Sequence, residues 1–175
     1  MQVRRNFCVR DRTREGECMG RRIPVIATMT MTLGCIIAPP AYADSGNTGY
    51  ENQMSPEACE KSQATSLFKY AIYYNSNYGG AYRNVGYSVW NFADERIGGA
   101  PQGGTQPLRF CHGGNGNGEG IKNNAASVKN KHSIYYAVTY FNSGYKGSAD
   151  WSGPRSQTNL SVTKNENASF AWQSL

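Results

Sequence analysis

Tyr73-Tyr74-Asn75-Ser76-Asn77-Tyr78-Gly79-Gly80 and Tyr140-Phe141-Asn142-Ser143-Gly144-Tyr145-Lys146-Gly147 are two versions of one phrase. Five of the eight positions are identical, and Tyr74/Phe141 is a conservative pair. A second block recurs after each copy. Lys122-Asn123-Asn124-Ala125-Ala126-Ser127 matches Lys164-Asn165-Glu166-Asn167-Ala168-Ser169 at the Lys, the first Asn, the last Ala and the Ser. Two blocks repeated in the same order mark an internal duplication.

Each phrase reads as a folded hairpin. Upstream of it, Leu67 to Tyr74 and Ile134 to Phe141 are aromatic-rich runs with strand character. Asn-Ser-Asn and Asn-Ser-Gly supply turn chemistry, because Asn and Gly tolerate positive φ. Tyr73 with Tyr78, and Tyr140 with Tyr145, can fold over the turn, while Gly80 and Gly147 allow a backbone approach that a Cβ would block. Further strands are expected at Tyr87 to Phe92, Leu108 to Cys111, Ala126 to Lys129, Leu160 to Thr163 and Ala168 to Trp172. A short helix is expected to start at Ser55-Pro56-Glu57.

The spacing between the two blocks is 50 residues in the first copy and 25 in the second. The first copy therefore holds an insert at about 94–118, read as a long loop or extra hairpin. The expected organisation is a signal peptide over 1–43, a polar lead-in over 44–66 and a β domain over 67–175. Within that domain the first motif covers 67–133 and the second 134–175.

The export reading comes from Met19 to Ala43. It has a basic start at Arg21 and Arg22, an apolar run from Ile23 to Ala38, and the small-x-small tripeptide Ala41-Tyr42-Ala43 before the expected cut. Met19 is then an alternative start. The run is too short to span a bilayer comfortably, so after cleavage no membrane association is expected. Residues 1–43 carry seven Arg and three acids, which leaves eleven basic and nine acidic residues in the remainder. That remainder has scattered charges and no phosphate-binding stripe, which excludes nucleic acid as a partner.

Cys8, Cys18 and Cys35 leave with the signal, and Cys59 and Cys111 remain. A single pair in an oxidising compartment reads as one disulfide, worth roughly 3–4 kcal/mol for a loop of this size. A catalytic Cys111 beside His112 is the alternative, although neighbours on a strand point to opposite faces. No nucleophile elbow, phosphate loop or zinc-protease helix is present, so an enzyme is not expected.

The duplicated phrases resemble the βγ-crystallin motif: an aromatic, four residues, an aromatic, one residue and a glycine. The resemblance implies an all-β fold of two intercalated Greek keys packed as a two-sheet wedge. The wording of Lys122 to Val128, followed by Tyr140-Phe141-Asn142-Ser143, is similar to exported actinobacterial proteins grouped with the Streptomyces metalloproteinase inhibitor. That likeness implies a secreted, monomeric peptidase inhibitor acting on an extracellular protease through an exposed loop. Phe110, Cys111 and His112 are the candidate contact residues. The alternatives are a calcium-binding or structural crystallin-like protein and a killer-toxin-like antimicrobial protein.

The family's calcium pattern is Asn/Asp, Asn/Asp, two residues, Ser/Thr, then Ser. It implies weak Ca²⁺ ligation by Asn123, Asn124 and Ser127 in one copy, and by Asn165, Glu166 and Ser169 in the other. Val128 and Phe170 stand where the pattern has its final serine. An oxygen-only ligand set of amides, a carboxylate and hydroxyls suits a hard cation.

Overall fold

The computed structural model describes residues 46–97 and 104–174. The expected signal peptide and cleavage tripeptide, Met19, Cys8, Cys18, Cys35 and the 98–103 part of the insert lie outside the described residues.

Among the described residues, two short α-helices, α1 (Gly46–Met54) and α2 (Pro56–Cys59), precede nine strands. These are β1 (Tyr70–Tyr73), β2 (Tyr82–Val85), β3 (Glu95–Arg96), β4 (Thr105–Gln106), β5 (Ser127–Asn130), β6 (Tyr136–Asn142), β7 (Lys146–Ser152), β8 (Ser156–Asn159) and β9 (Ser169–Gln173). One antiparallel sheet has the order β2-β1-β5-β8 and another has the order β7-β6-β9. β3 and β4 form a separate hairpin inside the insert.

Each half lends its third strand to the sheet of the other. β8, from the second half, pairs with β5 of the first. The equivalent stretch of the first half crosses to β9, where Val89 and Phe170 exchange both backbone hydrogen bonds at 2.8 and 3.0 Å. The strand expected over Tyr87 to Phe92 is thus reduced to a bridge at Val89. Its next contact, Phe92 N–H to the Ala168 carbonyl, advances three residues against two on β9. That extra residue bulges the pairing and prevents a regular ladder.

β1 is buried along its whole length. Alternation sends Tyr70 and Ile72 into the wedge and Ala71 and Tyr73 to the outer face. Tyr70 joins the two sheets: its ring stacks on Phe170 with centroids 3.9 Å apart, and its hydroxyl bonds Thr139 Oγ1 at 2.8 Å. Around it lie Ile72, Val85, Val89, Phe92, Leu108, Phe110, Ile121 and Val128. Each such side chain contributes about 1.5–3 kcal/mol on full burial.

Leu160 to Thr163 is not a strand. The Asp150 carboxylate accepts the Ser161 and Thr163 N–H groups at 3.1 and 2.8 Å and the Thr163 hydroxyl at 2.7 Å, folding this stretch around a charge. The preceding polar segment, β8, takes the strand position instead. Leu108 to Cys111 makes a single bridge, Arg109 to Gly120, in place of a ladder, and the next residue, His112, bridges to Tyr82.

The expected helix is present as α2, with the Ser55 hydroxyl accepting the Glu57 N–H and Pro56 in the first turn. The lead-in also contains α1, which its Gly and Asn content does not favour. Tertiary contacts hold it. Asn52 Oδ1 accepts the Gly86 and Tyr87 N–H groups at 3.0 and 3.1 Å. Arg83 is 4% exposed, and its guanidinium donates to the Asn52 and Gln53 carbonyls at the end of the helix and to the Arg109 carbonyl of the insert. Burial lowers the Arg83 pKa to about 10, with buried Glu95 opposing the shift.

Candidate functional site

The two duplicated phrases fold alike. Tyr78 and Tyr145 sit at φ 61° and 60°, a region costly for an aromatic residue. Tyr73–Tyr78 and Tyr140–Tyr145 ring centroids are both 6.1 Å apart. Gly80 and Gly147 follow at φ 72° and 79°, and a Cβ at either would lie 2.8 Å from the Nδ2 of Asn75 or Asn142. The serines complete the symmetry. Ser127 Oγ accepts the Tyr78 N–H at 2.9 Å and donates to the Asn75 carbonyl at 2.6 Å. Ser169 Oγ accepts from Tyr145 N–H at 3.1 Å and donates to the Asn142 carbonyl at 2.7 Å. With the exchanged third strands, this pair of clamped hairpins decides the architecture.

The fold is βγ-crystallin-like. Among solved structures, one described as "Evolution of the eye lens beta-gamma-crystallin domain fold" is similar at a TM-score of 0.42 and 14% identity, with 62% of this chain and 87% of that chain covered. No family model and no curated protein matches the sequence.

The crystallin-like clamp takes Ser127 and Ser169 out of the calcium reading. Both are fully buried, and each hydroxyl is engaged as donor and acceptor by its own hairpin. The residues before them, Ala126 and Ala168, have no side-chain oxygen. Asn123 and Asn165 sit at φ 62° and 57° and cross-link the halves, Asn123 N–H to the Asn167 carbonyl and Asn165 N–H to the Ala125 carbonyl, both 2.8 Å. Asn124 Nδ2 donates to the Gly120 carbonyl at 2.8 Å. Asn123, Asn124 and Asn165 do line one cleft of about 290 Å³, but Lys164 lines it too, and Glu166 does not. In the pseudo-equivalent place of the other half, Lys122 Nζ lies 3.3 Å from both Asn91 Oδ1 and Ser143 Oγ. A lysine therefore stands at each candidate position, and the donor set does not fit Ca²⁺. Among the described residues no group of three or more His, Cys, Asp or Glu converges for a metal.

The disulfide Cys59–Cys111 is formed, with Cα atoms 5.5 Å apart. It places the candidate contact residues differently from the expectation. Phe110 is 1% exposed and belongs to the core, edge-on to Tyr74, so it is not a contact residue. Apolar burial draws it inward, while Cys111 is held to α2. His112 stacks on Tyr82 at 4.1 Å with planes 5° apart, and burial pushes its pKa down.

An exposed loop follows directly at 113–119, with only Gly116 partly covered. It is held at its neck by Phe110 N–H to the Glu119 carbonyl and Gly118 N–H to the Phe110 carbonyl, and at its tip by Ala81 N–H to the Asn115 carbonyl. Gly116, at φ 88°, lies against the Tyr74 ring so closely that a Cβ would fall 2.2 Å from it. The glycine richness of the insert signalled this loop in the sequence, whereas its docking on Tyr74 required the fold.

A larger cleft, about 770 Å³, opens elsewhere, between α1, the Leu67–Lys69 and Gly86–Ser88 segments, His132, Tyr135 and Trp172. Sequence reasoning missed it, because its walls come from segments up to 124 positions apart, from Thr48 to Trp172.

Proposed function

We propose that this chain is an exported, non-enzymatic peptidase inhibitor whose contact surface is the 113–119 loop. The observation that carries the reading is the state of that loop: exposed, next to the Cys59–Cys111 disulfide and tied by backbone hydrogen bonds at neck and tip. A loop already ordered loses little freedom on meeting a protease cleft, and that preorganisation favours binding. Its positive-φ glycines, Gly114, Gly116 and Gly118, depart from the extended backbone that a protease cuts, so the loop binds without being consumed. The resemblance of the duplicated phrases to inhibitor-group proteins points the same way. On this reading the protein acts outside the cell as a monomer, and Ca²⁺ is not required.

The test is a panel of thermolysin-like and subtilisin-like proteases incubated with residues 44–175, with and without reductant. Inhibition at micromolar protein, lost when 113–119 is replaced by a shorter turn, supports the proposal. If no protease is slowed, the inhibitor reading fails and a binding or antimicrobial role on the same scaffold takes its place.

A further inference from the structure

The 770 Å³ cleft shares no lining residue with the 113–119 loop. Its size falls in the range of small-ligand sites, which are mainly apolar with a few fixed polar groups. Tyr87 and Tyr135 stand at its edge, 41% and 42% exposed. Neither ring is needed to fill the core.

The inner wall is held in place by hydrogen bonds. Trp172 donates its indole N–H to the Gly86 carbonyl at 2.9 Å and its backbone N–H to Ser88 Oγ at 3.1 Å. His132 lies between Tyr135 and Trp172, with centroids 4.7 and 5.2 Å away. Its Nδ1 accepts the N–H groups of Ile134 and Tyr135 at 3.1 and 3.0 Å. In the neutral ring that leaves the proton on Nε2, as a donor.

The polar groups on the walls are of both kinds. Glu51 brings a carboxylate acceptor, Lys69 an ammonium donor and Ser88 a hydroxyl. A cationic ligand would be opposed by Lys69, and an anionic ligand by Glu51 and Glu57, which lie on the same cleft. A neutral ring with one apolar face and a rim of hydroxyls, each able to donate and accept, meets all of these groups without an unpaired charge. Rigid aromatic side chains supply the matching flat apolar surface at little entropic cost.

We propose that the cleft between α1 and Trp172 is a saccharide-binding site, with Tyr87 and Tyr135 as stacking platforms and Glu51, Lys69 and His132 Nε2 as hydroxyl partners. This goes beyond peptidase inhibition and stands or falls separately from it.

The test titrates the secreted protein with soluble cello-, chito-, xylo- and malto-oligosaccharides and follows the indole N–H resonances of Trp172 and Trp151. The expected result is a saturable shift at Trp172 with at least one series, and none at Trp151. Tyr87→Ala and Tyr135→Ala weaken binding by at least about tenfold, while Tyr87→Phe and Tyr135→Phe retain it, because stacking needs the ring and not its hydroxyl. Unchanged indole and amide spectra outside the cleft certify that the variants are folded. No shift with any series at roughly 10 mM sugar, a level weaker than any useful affinity, overturns the proposal. So does a response only to a Lys-rich peptide, which would make the cleft a cation site.

Discussion

Ser127 accepts the Tyr78 backbone N–H at 2.9 Å from a strand 49 residues further along the chain. Its hydroxyl reaches back to the Asn75 carbonyl of the same hairpin, so one side chain locks a tyrosine into a left-handed conformation. Ser169 does the same for Tyr145. Ser127→Ala leaves two backbone groups unpaired in a buried place, at a cost of about 1–3 kcal/mol. Ser169→Ala is expected to cost about as much. Denaturant unfolding of the two variants checks both the size and the near-equality.

The two hairpin glycines are not equivalent. At Gly147 a new Cβ meets the Asn142 side-chain amide, which can shift, whereas at Gly80 it also meets the Asn115 carbonyl at 2.9 Å. Positive φ alone costs an alanine about 1–2 kcal/mol. Gly80→Ala is therefore expected to lower the melting temperature more than Gly147→Ala, with calorimetry as the measurement.

His112 makes the fold sensitive to mild acid. Burial holds its pKa below the ordinary value of 6.5, so the folded state prefers the neutral ring. The unfolded chain takes up the proton first as pH falls. Stability is thus full above pH 6.5 and declines below it towards the lower, folded-state pKa. His112→Gln is expected to flatten the fall in melting temperature below about pH 6.5.

Reduction of Cys59–Cys111 removes a cross-link over 52 residues. The loop-closure model gives a loss of about 4 kcal/mol. Because Cys111 adjoins the core residue Phe110 and leads into 113–119, reduction is also expected to raise amide exchange in that loop before the β6–β7–β9 sheet. Hydrogen-exchange measurements with and without reductant check the order.

Calcium is expected to leave the melting temperature unchanged at about 5 mM, a concentration that stabilises any protein whose site has a submillimolar Kd. Lys122 and Lys164 carry part of the reason, since Lys164 lines the cleft with Asn123, Asn124 and Asn165, and Lys122 Nζ occupies Asn91 Oδ1 and Ser143 Oγ in the other half. A calcium-dependent rise in scanning calorimetry would contradict this.

The duplicated phrases made the hairpins legible and, through their resemblance to the βγ-crystallin motif, the crystallin-like architecture, while the pair Cys59 and Cys111 pointed to the disulfide. Their signals are local: an Asn or Gly where φ turns positive, two tyrosines at fixed spacing, and an even pair of cysteines. The position of α2 was legible for the same reason, from Ser55 and Pro56. Tertiary structure decided what the remaining residues do, because those roles depend on partners far away in the chain. Only the fold turned Ser127 and Ser169 from apparent calcium ligands into hairpin clamps and drew Phe110 into the core. It also stabilised α1 through Arg83 and Asn52 against its own weak helix propensity. The aromatic cleft belongs to the same class, since Tyr87, Tyr135 and Trp172 carry no sequence pattern that brings them together, and burial of the shared core does.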